Sequence, residues 1–184
     1  MDDRKKWLYL VAGLALGAAG TFLALRFPGG GGGEPRLELS YRQGIDYQVR
    51  RVIDGDTLVL EPGLRLRYAG VDCPETAHFD YSRPQELSRE ATEANRRLVE
   101  GRRVRLRFGP RKLDKYGRLL ACVQVRDPET GRWQDVGEEL MRLGLAKRVY
   151  KAGRPPNEAA LIRAEEEAKG ARRGLWARER GSGP

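Results

Sequence analysis

The chain has 184 residues with 40% hydrophobic and 33% charged side chains, which suits one globular domain with a real core plus an appendage. A formal charge of +9 and a pI near 9.9 point to a polyanionic partner, nucleic acid ahead of an anionic lipid surface. Two cysteines, Cys73 and Cys122, with no CxxC pair exclude a disulfide scaffold and argue against a structural zinc site. Two buried free thiols are expected, with a single disulfide the alternative in an oxidising compartment.

Residues 1–35 differ from the rest. They hold four basic and three acidic side chains, so +8 of the charge belongs to residues 36–184. Arg4, Lys5 and Lys6 precede Trp7–Leu25, a run of 19 residues without a charge, closed by Arg26. A helix rising about 1.5 Å per residue would just span a hydrocarbon core of roughly 30 Å over that run. Gly13, Gly17 and Gly20 suit a membrane helix, and the basic flank puts the N-terminus inside and the remainder outside. The rival is a cleaved signal peptide, with the protein then secreted. Its apolar region should be only about 7–15 residues long and end in a small-x-small site, which Leu25-Arg26-Phe27 does not provide. The expectation is a single-pass anchor over residues 1–27 in the cell membrane, with the C-terminal domain extracytoplasmic. Residues 28–45, with five consecutive glycines at Gly29–Gly33, read as a flexible linker. No lysine-serine/threonine pair follows them, so they are not a phosphate-binding loop.

A folded domain is expected over residues 46–178, with residues 179–184 a disordered tail. Tyr47–Ile53, Thr57–Leu60 and Leu64–Val71 carry β-branched and aromatic residues between the turn signals Asp54-Gly55 and Pro62-Gly63. A helix fits Pro84–Glu100, with Leu87, Ala91, Ala94 and Leu98 as its apolar stripe and Gly101 as its stop. Strands return at Arg103–Phe108 and Leu119–Val125. A short helix at Val136–Leu143 is closed by Gly144, and a last one starts after Pro155-Pro156 and ends near Gly174. Three strands, a helix, two strands and two helices predict an α+β fold, mainly a small β barrel with helices packed on it.

Three charged clusters are not required by that pattern. Asp54-Gly55-Asp56 offers hard oxygen ligands suited to calcium or magnesium, although taken alone an ordinary Asp-Gly hairpin turn is the better explanation. Arg67 lies in an apolar run ahead of Asp72, Cys73, Pro74 and Glu75. There, one carboxylate could bind metal while the other accepts a proton from water. Asp114-Lys115-Tyr116-Gly117-Arg118 is a turn that delivers an arginine onto the next strand.

Val52–Thr57, Arg67 five residues before Asp72 with Pro74-Glu75, Asp114–Arg118, Gly144-Leu145-Ala146 and the closing Gly174-Leu175-Trp176 together closely resemble the staphylococcal-nuclease (thermonuclease) family. The resemblance runs from Tyr47 to Trp176. It implies an OB-type five-stranded barrel with three helices that hydrolyses phosphodiesters in DNA and RNA using calcium (Ca2+). By motif, Asp56 and Asp72 resemble metal ligands, and the position of Cys73 supplies a backbone carbonyl to the metal. Glu75 resembles the residue that positions or deprotonates the attacking water, and Asp54 an acidic neighbour of the metal. Arg67 and Arg118 resemble the two arginines on the scissile phosphate; Lys115, Tyr116 and Tyr150 fall where the family contacts nucleotides. A monomer without a small-molecule cofactor is expected. The chemistry is coherent, since planar guanidiniums and a divalent ion stabilise charge that develops on phosphoryl oxygens. Two departures stand out. Gly137 follows Val136 where the family usually has asparagine, and Ala152–Pro156 lacks expected tyrosines. His78, the sole histidine, reads as a loop residue. The alternative is a non-catalytic nucleic-acid-binding domain of the same barrel type anchored at the envelope, which predicts loss of one of Asp56, Arg67, Asp72, Glu75 and Arg118. All five are present.

Overall fold

The structure, a computed structural model, describes residues 44–76, 85–150 and 153–177. The expected anchor Trp7–Leu25, the glycine run, His78 and the tail lie outside them. Among the described residues no helix is long and apolar enough to cross a membrane.

Strands β1 (Asp46–Val52), β2 (Thr57–Leu60), β3 (Leu64–Tyr68) and β4 (Val71–Asp72) lead into helix α1 (Ser88–Val99). Then come β5 (Arg103–Leu113), β6 (Leu119–Arg126), β7 (Trp133–Asp135), α2 (Val136–Arg142), β8 (Lys147–Arg148) and α3 (Glu158–Gly170). β1, β2 and β3 form an antiparallel meander, β5 pairs with β1, and β6 pairs with β5. β6 also runs parallel to β3, so the five strands close into a ring. Period-2 alternation explains what fills it: Val49, Leu58, Leu60, Leu66, Val104, Leu106 and Val123 all point inward and are at most 1% exposed. Each contributes about 1.5–3 kcal/mol of burial. This is the expected barrel with its three helices. Both cysteines are free and buried.

Four boundaries differ from expectation by more than one residue, and two of them shape the site. Leu64–Val71 is not one strand: the chain turns at Ala69-Gly70, and β4 leaves the barrel to pair with β8. Asp72 is thereby carried to where Arg67 can reach it. Helix α1 begins at Ser88, after Leu87 adopts a left-handed conformation (φ 66°). Its buried face is Ser88, Ala91, Thr92, Ala94, Asn95 and Val99, so the expected Leu87 and Leu98 are only half-buried. β5 continues past Phe108 to Leu113 with a shift in register, and α3 ends at Gly170, with a single helical turn at Gly174–Trp176 beyond it. Gly137, the departure noted above, sits where an added Cβ would lie 2.7 Å from Val71 Cγ2. The first turn of α2 packs against β4 too closely for any side chain there.

Candidate active site

The Asp54-Gly55-Asp56 turn is closed by Ile53 N–H and Asp54 N–H, which donate to the Thr57 carbonyl at 2.9 and 3.3 Å. Asp56 N–H donates to Asp54 Oδ1 at 3.0 Å, so Asp54 shapes the loop rather than facing solvent alone. Gly55 is required here, because a Cβ would stand 2.5 Å from Cys73 Cβ and 2.9 Å from Ala91 Cβ. α1 holds the turn from behind. Asn95, wholly buried, donates to the Asp54 carbonyl at 2.9 Å and accepts from Tyr68 Oη at 2.7 Å.

Asp56 is 1% exposed. Its Oδ1 accepts from Arg67 Nη1 at 2.6 Å and Thr57 Oγ1 at 3.1 Å; its Oδ2 accepts from Cys73 N–H at 2.8 Å. Burial pushes its carboxyl up to about 7, against the pull of Arg67 and with a further push from Asp54. Arg67 Nη2 donates to Asp72 Oδ1, so one guanidinium bridges both carboxylates. Burial alone would weaken the Arg67 charge. Asp56, Asp72 and Glu75 outweigh burial and raise its pKa. Glu75 is exposed, and its backbone is clasped by Gln85: Glu75 N–H donates to Gln85 Oε1 at 3.1 Å and Gln85 N–H to the Glu75 carbonyl at 3.0 Å.

The Asp114–Arg118 turn forms the other side. Asp114 Oδ1 accepts from Tyr116 N–H and Arg118 N–H at 2.9 and 3.0 Å, and Oδ2 accepts from Arg118 Nε at 2.6 Å. Burial would raise the Asp114 carboxyl; these bonds outweigh it and hold it below its ordinary range. Tyr116 is exposed, with Lys115 Nζ 4.8 Å and the Arg118 guanidinium 5.4 Å from its ring. Arg67, Arg118, Lys115 and Tyr116 line one cleft of about 170 Å³ together with Gly70, Arg111 and Arg154. Asp72 and Cys73 line a second depression with Gln85, Glu86 and Lys147. Tyr150 does not line the cleft; it is half-exposed, and its hydroxyl accepts from Arg148 Nη1 at 3.0 Å.

The structure therefore gathers Asp56, Arg67, Asp72 and Glu75 on one side and Lys115, Tyr116 and Arg118 on the other. Sequence reasoning missed Asn95, Gln85, Arg111 and Arg154. Asn95 had a signal: it stands four residues from both Ala91 and Val99, a lone amide on a buried helix face.

Among the described residues no three His, Cys, Asp or Glu side chains converge as a metal cluster. The donor set that remains is two carboxylates within the span of one guanidinium. The Cys73 thiol is pushed well above its ordinary pKa by burial, with Asp56 and Asp54 adding to that, and stays protonated. Such a set fits a hard divalent ion that completes its shell with carbonyl and water oxygens, not a thiophilic one.

The family model described as staphylococcal nuclease homologue matches residues 65–178. A probable endonuclease LCL3 of Leptosphaeria maculans is 38% identical over 135 residues, 70% of this chain and 42% of that relative. A thermonuclease of Staphylococcus intermedius is 33% identical over 144 residues, 74% of this chain and 79% of the relative. A thermonuclease of Staphylococcus hyicus is 29% identical over 162 residues, covering 86% and 92% of the two. The chain thus spans well under half the length of the fungal relative and most of the length of the bacterial ones.

Proposed function

Because the chain belongs to the staphylococcal nuclease family, we propose that it is a calcium-dependent nuclease that hydrolyses phosphodiester bonds in DNA, RNA or both. The observation that carries this reading is the convergence of Arg67, from β3, and Arg118, from the turn before β6, on one cleft beside the Asp56–Asp72 carboxylate pair. Arg67 has five N–H donors and uses two on those carboxylates, leaving part of its fork for phosphoryl oxygens. Asp114 fixes Arg118 through Nε, which sets the plane of the guanidinium before substrate arrives. Glu75, exposed and with its backbone held by Gln85, would take a proton from the attacking water. Asp56 and Asp72 would hold the ion, which supplies positive charge for the developing phosphorane. Lys115 and Tyr116 offer a charge and a stacking face to the neighbouring nucleotide.

The Trp7–Leu25 run, its basic flank and the glycine linker support a further part of the proposal, that the domain works outside the cytoplasm close to the membrane face. The direct test is nicking of single- and double-stranded DNA by the full-length protein with calcium, and with excess chelator. Cleavage that needs calcium supports the reading; equal cleavage in chelator overturns the metal assignment. Binding without cleavage in calcium favours a non-catalytic module. Protease added to intact cells should remove the domain, and protection until lysis would reverse the topology.

A further inference from the structure

The outer face of β5 carries a second basic feature that the cleft chemistry does not use. Val104 and Leu106 point into the barrel and are wholly buried, so the alternation puts Arg103, Arg105 and Arg107 on the opposite face. Neighbours in this row stand about 6.7 Å apart along the strand. The strand then continues through Gly109, Pro110 and Arg111 into the wall of the cleft that holds Arg67 and Arg118. β5 lies between β1 and β6, so these are not charges guarding an open sheet edge.

Three like charges in a row repel one another. Of the three, among the described residues, only Arg105 forms an ion pair, with Asp46 at 3.1 Å. Arg103 Nη2 reaches just the Asp46 carbonyl at 3.4 Å, and Arg107 lies in the field of Asp135, whose ionisation it favours. The Arg105 guanidinium also stacks 4.1 Å from the centre of the Trp133 ring. Carboxylate and ring together hold its plane in place, so little freedom is lost on meeting a ligand.

We infer that the outer face of β5 is a track for the sugar-phosphate backbone of the substrate strand beyond the cleft, with Arg103, Arg105 and Arg107 as its phosphate contacts. The occupant follows from charge complementarity and from continuity with the cleft, and the inference rests on the nuclease reading above. From Arg103 to Arg107 the track adds about 13 Å of contact.

The test is binding of a single-stranded oligonucleotide by the full-length protein in chelator, read by fluorescence anisotropy across a salt series. Wild type is compared with Arg103→Gln/Arg105→Gln/Arg107→Gln and with the corresponding triple lysine variant. Each lost phosphate contact on a single strand removes about 0.7 from the slope of log affinity against log salt, so the glutamine variant should lose about 2 and bind roughly a hundredfold more weakly near 0.1 M salt. The lysine variant should keep the slope. A 20-nucleotide strand should show the whole effect, and one of about six nucleotides that fills only the cleft should show little of it. Equal slopes for wild type and the glutamine variant on the long strand overturn the inference. Should the triple variant fail to fold, Arg103→Gln, fully at the surface, reads the same slope at one third the size. Normal binding by a wild type that cuts nothing in calcium would sink the nuclease reading and leave the track standing.

Discussion

Replacing Asn95 by alanine tests whether α1 sets the geometry of the acidic turn. The amide is 0% exposed and makes two bonds, accepting from Tyr68 Oη at 2.7 Å and donating to the Asp54 carbonyl at 2.9 Å. Asn95→Ala leaves a buried phenol and a backbone carbonyl without partners, at about 1–3 kcal/mol each, so a loss of about 2–6 kcal/mol is expected. At about 4 °C per kcal/mol for a domain of this size, that is a fall in melting temperature of roughly 8–24 °C. Tyr68→Phe removes only one side of the network, and the double variant should cost less than the sum of the two singles by about 0.5–3 kcal/mol. The functional consequence is separable from the loss of stability. At a temperature where both proteins are folded, Asn95→Ala should need more calcium for half-maximal cleavage, because Asp54 and Asp56 share one hydrogen-bonded turn. Chemical denaturation and calcium titration of activity read the two effects. Additive single variants, or an unchanged calcium requirement, would refute the idea that Asn95 ties the turn to the helix.

Arg118→Lys keeps the charge but loses the planar fork, so cleavage should fall by a hundredfold or more, about 3 kcal/mol, while the melting temperature moves little; turnover near wild type would remove Arg118 from the phosphate. Gly55→Ala drives a methyl to within 2.5 Å of Cys73 Cβ and should cost about 1–3 kcal/mol together with activity; a wild-type melting temperature would contradict the packing. Asp135, the N-cap of α2, has its carboxyl pushed by burial, and by the nearby Glu138, from 3.8 up to about 7. The folded protein therefore binds that proton more tightly than the unfolded chain: the stabilisation is full below about pH 4 and is lost as pH rises to about 7. Wild type should lose a few kcal/mol relative to Asp135→Asn over that window. A melting difference between the two proteins that stays constant from pH 4 to 7.5 would show that Asp135 does not titrate there.

The barrel was legible in the sequence because short β-branched and apolar runs between turn signals mark its strands, and Thr57–Leu60, buried on both faces, matched to the residue. The misses came where tertiary contacts overrode the local pattern. Nothing in Leu64–Val71 says that the chain will turn at Ala69-Gly70 and carry Val71 out of the barrel; that follows from the pairing of Val71–Asp72 with Lys147–Arg148, about 75 residues away. The helix after Glu75 reads as starting at a proline, yet the reciprocal Glu75–Gln85 bonds and the left-handed Leu87 delay it to Ser88. In the site, Asp56, Arg67 and Asp72 meet in one ion-paired cluster, and Lys115, Tyr116 and Arg118 line the cleft that Arg67 also lines. The supporting residues were hidden, since Gln85 acts through backbone contacts and Asn95 carries its polarity into a face that amphipathic reasoning treats as apolar. Tyr150, whose type suits base stacking, has its hydroxyl tied to Arg148 and lies outside the residues that line the cleft.

The two arginines are not equivalent as probes of the chemistry. Arg67 is the counter-charge of Asp56, a carboxylate 1% exposed whose ionisation burial opposes. Removing Arg67 leaves that carboxylate unpaired in the interior or forces it to take up a proton, a loss of up to about 3–5 kcal/mol that would lower activity whether or not Arg67 ever touches a phosphate. Arg118 has a partner, Asp114, that is paired in a turn and held by backbone N–H groups as well, so it can lose its arginine and remain satisfied. The same argument applies to the carboxylates: Asp72, whose side chain is 40% exposed, can be changed with less structural penalty than Asp56. A catalytic deficit at Arg118 or Asp72 with the fold intact therefore speaks to mechanism. The same deficit at Arg67 or Asp56 speaks first to the electrostatics that hold β3, β4 and the acidic turn together.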